Sequence, residues 1–198
     1  MEMEYKNNKI IFEKELNDLD TFTIDFTKIL NKLNIKYVIV SGYVAILFGR
    51  SRNSEDIDII IENIDYPTFV NLWNELSIHF ECILTDNPKL AYDEYIKEKE
   101  RLRFAKVNTI IPNMELKTPS EEIENWVLNN SLEVSLNKNK LLISPFELQI
   151  AYKLYLGSEK DIEDAKYLYK LFLDRLDKSK LKNYIIQFQV KDKERYLL

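Results

Sequence analysis

Apolar and polar positions change period several times along this chain, and each change marks an element. Over 12–33 apolar residues recur at helical spacing, which predicts a leading helix. Residues 37–40 read as a short buried strand, Ser41-Gly42 as a tight turn, and 43–48 as an apolar helical turn ending near Gly49. A strand follows over 56–61, DIDIII. The pattern then predicts a helix over 66–79, a strand over 81–85, a helix over 88–99 and strands over 101–106 and 113–118. Pro119-Ser120-Glu121-Glu122 opens another helix, and strands over 132–135 and 140–143 flank the turn Asn137-Lys138-Asn139. From Ser144 onward the pattern is helical, with irregular structure near 187–191. Ser144, Pro145 and Glu147 read as N-cap, first and third helical positions, Gly157 as the stop, and Ser158 as the next cap. The order predicts an α+β protein. A mixed β-sheet lobe flanked by helices covers 1–143, a C-terminal helical lobe covers 144–198, and the cleft lies between them.

The segment 38–61, VIVSGYVAILFGRSRNSEDIDIII, carries the most specific chemistry. Side chains alternate faces along a strand, so Asp56 and Asp58 point one way while Ile57, Ile59 and Ile61 point the other. Two like charges on an otherwise apolar strand are costly unless a cation or partner neutralises them. A hard divalent ion held together with nucleotide phosphates is the simplest such partner, Mg²⁺ or Mn²⁺. Gly42 can adopt backbone angles barred to other residues and admit a phosphate to the main chain, and the following helix offers unpaired N–H groups. Ser41 adds a hydroxyl. Arg50 and Arg52 are candidates to hold terminal phosphates or to stabilise charge during transfer. Tyr43, beside the turn, reads either as a ribose or base contact or as a helix-start packing residue.

A hydrophobic strand, a small-residue pair, thirteen intervening residues and then Asp-hydrophobic-Asp-hydrophobic resembles the signature of the polymerase-beta-type nucleotidyltransferase superfamily. Within it, GRSRNSEDIDI is most similar to the minimal nucleotidyltransferases and to the AbiEii-like toxins of type IV toxin–antitoxin systems. Those families usually carry two glycines at the turn, where this chain has Ser41-Gly42. The resemblance implies a nucleotidyltransferase-like sheet and a third metal ligand from a later strand, for which Glu115 in Met114-Glu115-Leu116-Lys117 is the candidate. Its plainer reading is an edge-strand glutamate paired with Lys117. A second block, SPFELQIAYKLYLGSEKDIEDAKYLYKLF, resembles the C-terminal motif of AbiEii-like proteins through Lys153, Lys160, Asp161 and Asp164. Lys153 would contact triphosphate or pair with Asp164, or else snorkel from a core helix. Asp161 and Asp164 read as site residues or as acids placed at a helix start for stability.

The implied activity is transfer of an NMP from an NTP to a hydroxyl of a tRNA or a protein, with pyrophosphate released and an antitoxin as partner. Asp56, Asp58 and Glu115 would hold the metal. Ser41, Gly42 and the arginines would orient the phosphates. The competing reading is a catalytically idle nucleotide-binding or partner-binding module that keeps the fold.

Composition narrows the setting. With 198 residues, 45% hydrophobic, the chain can bury one substantial core. A net charge of −5 argues against nucleic-acid binding through a broadly positive surface. A local basic groove built from Arg50, Arg52, Lys99, Arg101, Arg103 and Lys106 stays open. One cysteine, Cys82, cannot form an intramolecular disulfide, and one histidine, His79, cannot build a zinc site with it. No apolar run reaches the length of a membrane span and the N-terminus lacks a secretory pattern, so the expected location is cytoplasmic.

Overall fold

A computed structural model of the chain describes residues 2–6 and 9–191; the end of the expected helical lobe, 192–198, lies outside them. The chain begins with β1 (Met3–Lys6) and β2 (Lys9–Phe12), followed by α1 (Asp18–Lys32). The expected helix over 12–33 therefore starts later, and Phe12 belongs to a strand. Asn17 sets that start: its side chain accepts from the Asp20 N–H while the Asp20 carboxylate accepts from the Asn17 N–H, a complete capping box. Phe12 suits either period, because Ile10 and Phe12 alternate inward on β2 as well as fitting a helical stripe.

The centre of the fold comes next: β3 (Tyr37–Ile39), α2 (Gly42–Leu47), β4 (Asp56–Ile61), α3 (Tyr66–Leu76) and β5 (Phe80–Cys82). α4 (Pro88–Ala91) continues into a π-helical turn, Tyr92–Ile96, where a single helix was expected. Then follow β6 (Leu102–Lys106), β7 (Asn113–Lys117), α5 (Glu122–Asn129), β8 (Leu132–Leu136) and β9 (Asn139–Ile143). The described chain closes with α6 (Phe146–Leu156), α7 (Glu159–Phe172) and α8 (Lys178–Gln187). Gly157, at φ 72°, ends α6, and the Ser158 side chain caps α7 by accepting from the Asp161 N–H, both as expected. Ser144 does not cap α6. Pro145 occupies that position without a side-chain cap bond, and the Ser144 hydroxyl is turned inward to Gln149.

The nine strands among the described residues join one mixed sheet in the order β1-β2-β8-β9-β3-β4-β7-β6-β5. β4 lies between β3, antiparallel to it, and β7, parallel to it. Each strand face has its own cover. Tyr37, Ile39, Ile57, Ile59 and Ile61 enter the main core with Phe22, Phe26 and Phe69 from α1 and α3. On the other face, Val38 and Ile60 form a second, smaller cluster with Val127 and Leu128 of α5 and Leu148 of α6. The acids of β4 share the parity of Ile60, so they open on that second face.

The main core runs continuously from the sheet into the C-terminal helices. Phe146 and Phe172 stack at 3.8 Å between ring centroids, and Phe48 meets both edge-on, at 5.4 and 4.9 Å. Phe172 is fully buried. Phe172→Ala is expected to destabilise the fold by about 3–5 kcal/mol, read by denaturant unfolding, through lost burial and a cavity between Phe48 and Phe146; a loss below about 1 kcal/mol would contradict this packing.

Candidate active site

The acids meet through strand register. β4 and β7 run parallel with Asp56 opposite Asn113, Asp58 opposite Glu115 and Ile60 opposite Lys117. Asp58 and Glu115 are therefore neighbours on one face, reached from sequence positions far apart. Arg101 binds both, its Nε lying 3.2 Å from Glu115 Oε2 and 3.8 Å from Asp58 Oδ1. Arg103, the cross-strand partner of Glu115 on β6, adds a contact of 2.5 Å to Glu115 Oε1. Glu115 is thus paired with arginines, and Lys117 goes to Glu124 instead. Asp56 is exposed at the start of the strand, beside the Ser54 hydroxyl.

Burial pushes the Asp58 carboxyl above the ordinary aspartate range, and the negative charges of Glu115 and Asp56 push the same way. The nearby Ser41 hydroxyl and the Arg101 guanidinium oppose that rise. Ser41 itself sits at φ 62° and ψ −137°, a conformation that favours glycine and costs a side-chain-bearing residue about 1–3 kcal/mol. Such strain persists only where the surroundings impose it.

Asp58, Glu115, Ser41 and Arg101 line one end of a cavity of about 280 Å³. Its apolar wall comes from Ile123, Val127, Leu148, Tyr152 and Phe188. The sheet face forms its floor, and helices α5, α6 and the end of α8 form its roof.

Gly42 has a different neighbour from the expected phosphate. A Cβ at this position would lie 1.9 Å from a terminal nitrogen of Arg52, so the guanidinium occupies the space that the missing side chain leaves. Arg52 in turn is tied to α7, its NH2 group 3.1 Å from Asp164 Oδ2. Arg50 is committed to the same helix, through Nε to Asp164 Oδ1 at 2.5 Å and through NH2 to Glu163 at 2.6 Å. Lys153, 1% exposed, completes the cluster with contacts of 2.8 Å to Asp164 and 2.9 Å to Asp161. Burial raises the Asp161 carboxyl, but hydrogen bonds from Ser158 and Lys153 outweigh it and hold the group below the ordinary aspartate range.

These placements correct several expectations. Arg50, Lys153, Asp161 and Asp164 form an ion-pair cluster behind the turn and do not line the cavity beside Asp58. For Lys153, pairing with Asp164 is the alternative that holds. Tyr43 is fully buried in the main core, where its hydroxyl donates to Asp20 Oδ1 at 2.8 Å and Lys14 neutralises Asp20 at 3.0 Å. Burial, then the Asp20 charge, hold the tyrosine proton on, and no surface of Tyr43 is left for a ribose or base. Arg52 stays against the turn, and Lys106 of the expected basic groove pairs with Asp25.

Gln149 and the pairing of Arg101 and Arg103 with the acids escaped the sequence reading. Both arginines were named only as members of a basic groove, and register shows that Glu115 lies opposite Arg103.

The donor set suits a divalent cation in kind: carboxylate oxygens, two of them already sharing one positive group. In this structure that group is the Arg101 guanidinium, and among the described residues no three acidic, histidine or cysteine side chains converge closely enough to hold a metal ion.

No protein-family model and no curated protein matches the chain. Solved structures do. An antigenic nucleotidyltransferase-like protein from Paracoccidioides brasiliensis aligns with a TM-score of 0.55 at 18% identity over 88% of each chain. The antibiotic-resistance factor ANT(2'')-Ia aligns with a TM-score of 0.55 at 11% identity over 91% of this chain and 95% of its own. The lincosamide antibiotic adenylyltransferase LnuA gives 0.52 at 14% identity over 80% and 99%. The fold is that of nucleotidyltransferase-like proteins.

Two variants test the corrected placements. Tyr43→Phe removes a buried hydrogen bond to a charged acceptor and is expected to cost about 1.5–3 kcal/mol of stability by thermal unfolding, with nucleotide binding unchanged. Asp164→Asn leaves three cations short of their shared partner and is expected to cost about 3–5 kcal/mol; a variant as stable as wild type would remove Asp164 as the hub of the cluster.

Proposed function

We propose that this chain is a nucleotidyltransferase that moves an NMP from an NTP to a hydroxyl acceptor in the cavity beside Asp58, releasing pyrophosphate. The observation that carries this reading is the in-register pair Asp58–Glu115 at the end of that cavity, next to the Ser41 turn. In this reading the cofactor is Mg²⁺ or Mn²⁺, and Asp58 and Glu115, with Asp56 at the exposed end of β4, are the residues that would hold it. When bound, such an ion neutralises charge on the attacking and leaving oxygens.

The chain's own groups do the rest. Ser41 orients Asp58 through its hydroxyl. Arg101, more than half exposed, turns away from the two acids and toward the phosphates when the site is loaded, and Arg103 keeps Glu115 aligned on its strand. Arg52 supports the Gly42 turn from behind. The helices over the cavity shield Glu115 and much of Asp58 from water.

The acceptor in this reading is a tRNA or protein hydroxyl, with an antitoxin as partner; the support is the likeness of GRSRNSEDIDI to AbiEii-like toxins. One observation favours the second reading, a binding module without catalysis: Glu115 is already paired with Arg101 and Arg103, and Arg101 also reaches Asp58.

Purified protein incubated with Mg²⁺, each labelled NTP, and bulk tRNA or cell extract is expected to transfer label. Label on RNA or protein supports the toxin-like version, label on small molecules alone overturns that version, and nucleotide binding without transfer selects the idle module. Asp58→Asn is expected to lower transfer by at least about 10²–10³-fold. Because the folded state holds the Asp58 carboxyl above its unfolded value, ionising it loses stability as pH rises. The asparagine variant should therefore be at least as stable as wild type at neutral pH. Full transfer activity in that variant would end the assignment.

A further inference from the structure

Gln149 is a buried carboxamide in the middle of an otherwise apolar stretch of α6, 4% exposed and 108 residues from the turn it meets. Its Nε2 donates to the Ser41 carbonyl at 2.7 Å, and its Oε1 accepts from the Ser41 N–H at 3.3 Å. One side chain thereby holds both backbone polar atoms of a single residue, and that residue has a positive φ without being glycine. The orientation of the amide is set as well. The Ser144 hydroxyl donates to the same Oε1 at 2.7 Å, so turning the carboxamide over would face its NH₂ with two donors and its oxygen with a carbonyl. Ser144 is itself anchored, its N–H donating to the Ile39 carbonyl at the end of β3.

We propose that Gln149 is a positioning residue: it clamps the Ser41 peptide in its positive-φ conformation, so that the Ser41 hydroxyl is presented to Asp58. The proposal rests on the reading of Asp58 as a reactive-site acid. Without the clamp, Ser41 relaxes toward the ordinary negative-φ region, its hydroxyl swings off the carboxylate, and the entrance to the cavity loses its shape. The same geometry explains why a serine stands at this position. A glycine would hold the angle unaided but would bring no hydroxyl to Asp58.

The test is a double-mutant cycle between positions 149 and 41, read by thermal stability, by the amide NMR signal of residue 41 and by steady-state transfer kinetics. Gln149→Met keeps the volume and removes all three hydrogen bonds; Gln149→Glu keeps the acceptor and removes the donor. In the wild-type background Gln149→Met is expected to lower the melting temperature, shift and broaden the Ser41 amide signal, and reduce kcat by about 10- to 100-fold with the KM for NTP within about twofold. Gln149→Glu is expected to behave like the methionine variant. In a Ser41→Gly background the same Gln149→Met change should cost markedly less stability, because glycine needs no clamp. An equal stability loss in both backgrounds, or a folded Gln149→Met enzyme with wild-type kcat and an unmoved Ser41 signal, overturns the proposal. If the wild-type chain transfers no nucleotide, the function assigned above fails, and the non-additivity between the two positions alone decides whether the clamp exists.

Discussion

Two carboxylates side by side on neighbouring strands form the constraint from which the rest of this structure takes its shape. Parallel pairing of β4 with β7 brings Asp58 against Glu115 at a half-buried position, where like charges repel and water is too scarce to screen them. A sheet tolerates such a pair only beside positive charge. β6 supplies it from the neighbouring strand through Arg103, and the segment leading into β6 supplies Arg101. The order of strands β4-β7-β6 thus carries acid, acid and base across one face. The helices above that face leave a cavity over the acids and close over the apolar residues beyond.

A second charge system lies behind the Gly42 turn and has the opposite character. Lys153 and Asp164 are buried almost completely and paired with each other, while Asp164 Oδ2 takes part in ion pairs without accepting a hydrogen bond. Burying charges costs several kcal/mol per ion unless geometry and hydrogen bonds are good. The cluster offsets that cost by collecting the cations of Arg50 and Arg52 from the loop before β4 onto α7. It thereby ties the loop that precedes the acids to the C-terminal helices, and the guanidinium of Arg52 backs the turn at Gly42. Residues that look like ligands in the sequence, a lysine and two aspartates at helical spacing, are instead the joint between two parts of the chain. Local charge pattern does not distinguish these roles, because both place acid and base at the surface of a helix.

Tyr43 and Ser41 show how strongly position decides role within one turn. Two residues apart, one is sealed in the core against Asp20, and the other faces the acids. α2 begins between them, and its first turn rotates the tyrosine inward. The strained backbone of Ser41 is held by contacts from α6, so the acid-bearing face and the helices that roof it are joined at that turn. The continuous aromatic core through Phe48, Phe146 and Phe172 packs the same parts of the chain together.

The α+β order, the apolar strand with two acids on one side, the stop at Gly157 and the cap at Ser158 were legible in the amino-acid sequence alone. Strand alternation and helix capping involve residues a few positions apart, so the chain carries these features locally. β1 and β2 were not legible, because Ile10 and Phe12 satisfy helical and strand periods alike in so short a run. Glu115 could be proposed from sequence as a partner for the aspartates, but the pairing of Glu115 with Arg101 and Arg103 and not Lys117 was decided by register. Gln149 left no signal of its function, since a glutamine on a helix says nothing about a turn 108 residues away. Period and capping act between neighbours in the chain, whereas register, ion pairing and the clamp on Ser41 exist only once distant segments have packed together.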